Sequence, residues 1–157
     1  MLIGILSDSH DNLDAARAAV EILKENGVEQ LLHAGDIVAP FTAEVFLGLG
    51  IPIEAVFGNN DGERTRLTDL LPGIAMGGRK MKIAGKTVVL VHDRKKLPPR
   101  ELDFADLLVH GHTHKPEVAR EGNRIVVNPG ELGGWVTGKK TFAIWDTDAD
   151  LPEIVEF

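Results

Sequence analysis

The chain has 157 residues, no cysteine, a hydrophobic fraction of 43%, a charged fraction of 26% and a formal charge of -7. These figures exclude disulfides, thiolate metal sites and a cysteine nucleophile, and they argue against a broad nucleic-acid-binding face, because phosphate backbones are held by lysine and arginine replacing counterions. One domain over residues 1–157 is expected, outside the membrane, since no apolar run approaches the roughly 20 residues that cross a bilayer.

The opening MLIGILSDSH has no basic leader before its apolar stretch, so a cytoplasmic protein is expected. Residues 2–6 read as a strand. Over residues 13–26, Leu13, Ala16, Val20 and Leu23 recur at helical spacing, with Asn12 as N-cap and Gly27 as the stop. A second strand is expected over residues 31–34, a helix over 42–49 closed by Gly50, a third strand over 53–57, and a helix over 63–71 closed by Pro72 and Gly73. Such alternation argues for βαβ units on a parallel sheet. The second half differs: residues 80–83 and 87–91 read as a hairpin, and residues 107–109, 124–127 and 141–145 as further strands between glycine-rich and asparagine-rich turns. No internal repeat, low-complexity tract or linker interrupts the chain, and the whole reads as one α/β domain, a two-sheet sandwich flanked by helices.

A metal-competent side chain stands just past each of five apolar runs. LIGIL is followed by Asp8 and His10, LLHA by Asp36, IEAVF by Asn59, VVLV by His92, and LLV by His112 and His114. Ligands in open α/β sheets bind outside the carboxyl ends of strands, so seven nitrogen and oxygen donors are expected at one edge. Singly these signals are weak, because Asp-x-His and Gly-Asp pairs are ordinary turn and capping chemistry. Their order is the signal.

Asp8-Ser9-His10, Gly35-Asp36, Gly58-Asn59, His92 and Gly111-His112-Thr113-His114 together resemble the calcineurin-like metallophosphoesterase superfamily, over residues 4 to about 138. Chain size and Asn128-Pro129-Gly130-Glu131 resemble its small single-domain archaeal and bacterial phosphodiesterases. The resemblance implies a four-layer αββα sandwich and two divalent ions, manganese by family habit, with nickel, iron, cobalt and zinc equally suited to nitrogen and oxygen donors. It implies that Asp36 bridges the ions, that Asp8, His10 and His114 complete the first, and that Asn59, His92 and His112 complete the second. The implied reaction is phosphate ester hydrolysis, most simply of a small phosphodiester or nucleotide-type substrate. Two ions about 4 Å apart can hold a hydroxide at neutral pH and clamp a phosphoryl oxygen.

Two departures from the family pattern stand out. Asn60, followed by Asp61, occupies the catalytic position where most of the superfamily has histidine; asparagine donates a hydrogen bond but is no general acid. Only nineteen residues, interrupted by Pro98-Pro99, connect His92 to His112, so a long helix is excluded there. Arg94, Lys95 and Lys96 read either as a solvated basic turn or as groups meeting substrate phosphate. His33 and His110 are expected in structural roles, Asp61, Asp93 and Glu131 as acceptors for metal-bound imidazoles or, for Asp61, as a helix cap, and Trp135 and Trp145 in the core or a subunit contact. The alternative to an enzyme is a metal-binding scaffold of the same fold. Small relatives of this kind often form homo-oligomers, but no symmetric surface is legible in a sequence.

Overall fold

In the computed structural model, which describes residues 1–149 and 151–157, Leu2–Leu6 (β1) is the central strand of one sheet. It pairs in parallel with Gln30–His33 (β2), which pairs in parallel with Ile53–Ala55 (β3). The connections are helices Leu13–Glu25 (α1) and Pro40–Leu47 (α2), and Arg64–Leu70 (α3) follows β3. A second sheet takes Arg79–Ile83 (β4), Lys86–Leu90 (β5), Leu107–Val109 (β6), Glu117–Glu121 (β7) and Arg124–Asn128 (β8) in the order β4-β5-β6-β8-β7. The chain then returns to the first sheet with Thr141–Asp146 (β9) and Glu153–Glu156 (β10), giving the order β10-β9-β1-β2-β3.

Side-chain alternation explains the layers. Ile3 and Ile5 of β1 face the second sheet and pack with Val88, Leu90, Leu107, Val109 and the fully buried Trp145. Leu6 and Leu31 face the helices, where Ala16, Val20, Leu23 and Phe46 cover them. Each fully buried side chain of this size contributes about 1.5–3 kcal/mol relative to exposure. On the outer face of the second sheet, Val89, Val91, Leu108 and Val126 are covered by Leu97 and Leu102. Those two come from a pair of 3-10 turns, Arg94–Lys96 and Pro99–Leu102, with their flanking residues. The fourth layer of the expected sandwich is thus thin, because Pro98 and Pro99 supply no amide hydrogens for helical bonds.

Some boundaries differ from expectation. α2 begins at Pro40, where the missing proline N–H costs nothing in the first turn. β3 stops at Ala55, since Val56 leaves the ladder to bridge Ala75. β7 (EVARE) and β10 (EIVE) have no counterpart among the expected strands. Both are edge strands whose charged residues keep the open side in water and hide the apolar pattern. Among the described residues, no helix is long and apolar enough to cross a membrane.

Candidate metal centre

The carboxyl ends of β1, β2, β3, β5 and β6 deliver Asp8 and His10, Asp36, Asn59, His92, and His112 and His114 to one edge of the two sheets. Five of these seven, Asp8, His10, Asp36, His112 and His114, have left-handed backbone, with φ between 41° and 68°. Left-handed backbone at a residue with a Cβ costs on the order of 1 kcal/mol, and such residues cluster where a site dictates side-chain direction. The loops after β2 and β3 also cross closely. A Cβ on Gly35, itself at φ +96°, would lie 2.7 Å from Gly58 N and 2.8 Å from His92 Nδ1, so that position tolerates only glycine.

Asp61 holds that crossing together. Its carboxylate accepts the N–H of Gly58 at 2.6 Å, of Val38 at 2.6 Å and of Asp36 at 3.1 Å. It neither caps α3, whose N-cap is Glu63, nor receives an imidazole N–H. Asp93 likewise caps its own 3-10 turn, accepting from Lys95 N at 3.0 Å, and lies 3.9 Å from His112 Nε2. Glu131 alone of the three acids takes the expected role, accepting from His114 Nδ1 at 2.9 Å.

Two groups of donors form. Asp8, His10 and His114 make one, and Asp8, Asp36 and His92 the other, the donor atoms in each lying within 4.8 Å of one another. His114 Nε2 is 3.4 Å and His10 Nε2 3.7 Å from Asp8 Oδ1, while His10 Nε2 and His92 Nε2 are each 3.4 Å from Asp36 Oδ2. Donors about 2.1 Å from one ion lie roughly 3.0–3.5 Å apart, so these separations suit shared cations better than direct hydrogen bonds. Among the described residues, Asp8 Oδ1 and His10 Nε2 find no hydrogen-bond partner although buried, an expensive arrangement unless a cation satisfies both. Asn59 Oδ1 lies 3.0 Å from His92 Nε2. His112, its ring centroid 5.1 Å from that of His92, belongs to neither group; Asp8 stands in the second group where His112 is expected.

Electrostatics follow from this crowding. Burial pushes the Asp8 carboxyl up, but adjacent His10 and the Ser7 hydroxyl, 2.6 Å away, hold it below the ordinary value. Asp36 is also pushed up by burial, yet His92 and the Asn60 N–H hold it well below the carboxylate range. Asn60 donates to it twice, N–H to Oδ1 at 2.7 Å and Nδ2 to Oδ2 at 2.8 Å. His10 is raised by Asp8, and His92 is raised by Asp36 against the effect of burial. Glu131, buried but hydrogen-bonded by Thr137 and His114, is held down to about 2.

Other residues have structural explanations. His33 is fully buried beneath Asp36, and His110 is buried beside Asn128, whose amide lies 3.3 Å from its Nδ1. Trp145 is in the core, whereas Trp135 is 65% exposed and donates its indole N–H to His10 O at 3.0 Å. Two further residues shape the site: Ser7, which no motif marks, and Asn128, which the sequence marks only as part of the Asn-Pro-Gly-Glu stretch. Ser7 bonds Asp8, while Asn128 Nδ2 donates to Gly111 O at 3.1 Å and Thr113 Oγ1 at 2.9 Å, shaping the loop that carries His112 and His114. A lone serine carries no signal, but Asn128 opens the Asn-Pro-Gly-Glu stretch that also contains Glu131.

A family model described as the calcineurin-like phosphoesterase superfamily domain matches residues 1–150. The chain belongs to that superfamily. It is 35% identical to the protein named phosphodiesterase MJ0936 of Methanocaldococcus jannaschii, covering 94% of each chain. It is 27% identical to phosphodiesterase YfcE of Escherichia coli, covering 84% of this chain and 79% of that one. The solved structure of an archaeal phosphodiesterase superposes with a TM-score of 0.88 at 32% identity, over 100% of both chains. Calcineurin-like phosphoesterases use divalent metals, and the two donor groups are the places in this member that suit them.

The Glu131 contact gives a direct test. Glu131→Gln keeps an acceptor for the Val136 and Thr137 N–H groups but no longer draws the His114 proton to Nδ1. Calorimetric titration with manganese is expected to show affinity reduced about 10- to 100-fold, the usual effect of losing such a partner. Unchanged affinity would mean that Glu131 only anchors residues 136–137.

Proposed function

We propose that this chain is a two-metal phosphodiesterase with Asp8, His10, Asp36, Asn59, His92, His112 and His114 as its ligands. The observation that carries the reading is the pair of buried, unpartnered donors, Asp8 Oδ1 and His10 Nε2, beside Asp36 at the strand ends. When bound, the ions would supply a nucleophile at neutral pH and charge compensation for the phosphoryl oxygens. Asp36 suits the bridging position because its Oδ2 lies equally close to His10 and His92. Each neutral imidazole adds a donor without charge, and Glu131 keeps the His114 proton on Nδ1 so that Nε2 is free. Asp61 acts as a positioning residue, fixing the loops that carry Asp36 and Asn59.

Asn60 sets the substrate range. Its side chain donates a hydrogen bond but cannot hand over a proton, so the leaving group gets no general-acid help from this position. Esters with acidic leaving groups are therefore expected to turn over well, and alkyl phosphates poorly. Hydrolysis of bis(p-nitrophenyl) phosphate beside p-nitrophenyl phosphate and an alkyl phosphate, in chelator-stripped protein with and without manganese, tests both points. The expected result is aryl diester cleavage only when metal returns, with the rate lost in His112→Ala. Metal binding without cleavage of any ester, whichever transition metal is supplied, would sink the enzymatic reading. Equal rates for alkyl monoester and aryl diester would refute the role given to Asn60.

A further inference from the structure

We propose that the cleft beside His92 receives one ester arm of the substrate, and that Lys96, with Arg64, selects an arm bearing a second phosphate group; this rests on the phosphodiesterase reading above.

The cleft has a volume of about 330 Å³ and opens directly from Asn59 and His92. That is the small end of the usual range for ligand sites, room for one nucleoside-sized group rather than a polymer. Phe57, Val91 and Met76 form its apolar wall. Arg64 is fixed there, its guanidinium 5.3 Å from the Phe57 ring centroid, with Nε donating to Asp61 O at 3.1 Å and Nη2 to Gly58 O at 3.4 Å. The loop that carries Asn59 therefore also holds a cation in place.

Lys96 supplies the second cation. The three consecutive basic residues at this turn have separate fates. Arg94 forms a two-bond contact with Glu121, at 2.8 and 2.9 Å, and Lys95 lines a different cleft beyond His112. Lys96 lines the cleft beside His92, and its ammonium has no partner among the described residues. Asp93 is the lining carboxylate, and it is engaged with Lys95 N. In a chain of formal charge -7, a fixed guanidinium and an unpaired ammonium on one apolar-walled cleft are chemistry for an anion. A phosphate on a substrate arm is an anion of the right size, and it would approach with the scissile phosphate already at the donor groups.

The probes are thymidine 5′-(p-nitrophenyl phosphate) and its 3′-phosphorylated form, with thymidine 5′-phosphate and thymidine 3′,5′-bisphosphate for calorimetric binding. Wild-type protein is expected to favour the phosphorylated probe about five- to tenfold in kcat/KM, through KM, the effect of one charge-assisted contact. Lys96→Ala removes that preference and Lys96→Arg keeps it. The calorimetric preference for the bisphosphate changes in parallel, in manganese-loaded and in chelator-treated protein alike. Equal handling of the two probes by wild-type protein, or a preference that survives Lys96→Ala, overturns this inference while turnover itself upholds the phosphodiesterase reading. Absence of turnover with an intact, Lys96-dependent calorimetric preference overturns the phosphodiesterase reading instead.

Discussion

Asp36→Asn protein is expected to hydrolyse bis(p-nitrophenyl) phosphate at least about 100-fold more slowly than wild type, because in the proposed two-metal site Asp36 would be shared by both ions and its loss would cost more than the 10- to 100-fold of an outer partner. The substitution removes the charge whose Oδ2 lies 3.4 Å from both His10 and His92. It preserves an acceptor for the Asn60 N–H, exchanges the acceptor of the Asn60 side chain for a donor, and leaves in place the Asp61 bonds to Asp36 N and Gly58 N that hold the loop crossing. Thermal unfolding provides the second readout. If bound at the proposed site, manganese at 100 times its dissociation constant would stabilise wild-type protein by about 2.7 kcal/mol, and a domain of this size gains roughly 2–4 °C in Tm per kcal/mol. Wild-type Tm should therefore rise by about 5–10 °C on adding metal, and that of the variant by no more than about 2 °C. An unchanged metal-induced rise in Asp36→Asn would remove Asp36 from the ligand set.

The second large effect lies beneath the site. His33 is fully buried, and burial lowers its pKa from the ordinary 6.5 to about 4. Its Nδ1 accepts the Gly35 N–H at 3.2 Å, which puts the ring proton on Nε2, facing Ser9 Oγ at 3.3 Å; Ser9 in turn donates to Asp36 O at 3.3 Å. A second proton would set two N–H groups against each other. Because the folded pKa is the lower one, the unfolded chain binds more protons between the two values, and stability rises with pH there. The contribution is fully present above pH 6.5 and is lost as pH falls toward 4, a change of about 3 kcal/mol, large beside the roughly 5–15 kcal/mol that holds a domain together. Urea unfolding of metal-free protein at pH 4.5, 5.5 and 7 should thus show wild type losing more stability toward acid than His33→Gln. His10 and His92 are raised rather than lowered, so their stabilisation is present below 6.5 and fades as pH rises through their folded values. They oppose His33, and only the difference between wild type and variant isolates it. Parallel pH profiles for the two proteins would show that His33 is not the titrating group.

Local pattern reveals elements whose burial is one-sided. α1 was legible because its apolar face recurs every three or four residues and Asn12 caps it, the Asn12 carboxamide accepting from Ala15 N at 3.1 Å. The parallel strands were legible because both of their faces are buried, leaving unbroken apolar runs such as LIGIL and VVLV. β7 and β10 were not, because an edge strand that stays in water reads like a loop.

The donors at the candidate site follow the same division. That seven competent side chains follow five strand ends is a property of the sequence, and parallel strands entering from the same side bring those ends to one edge. Which donors share an atom-scale group depends on loop conformation, and only the tertiary structure decides that. Asp8, His10, Asp36, His112 and His114 all have left-handed backbone, yet it is Asp8 rather than His112 that lies in the group with Asp36 and His92. Tertiary contacts also assign the three acids that looked alike in sequence. Glu131 reaches an imidazole, Asp61 gathers three backbone N–H groups from two loops, and Asp93 caps a turn beside it. A carboxylate's chemistry is written in its residue type, but its partner is chosen by whichever donors the packed chain leaves within about 3 Å of its oxygens.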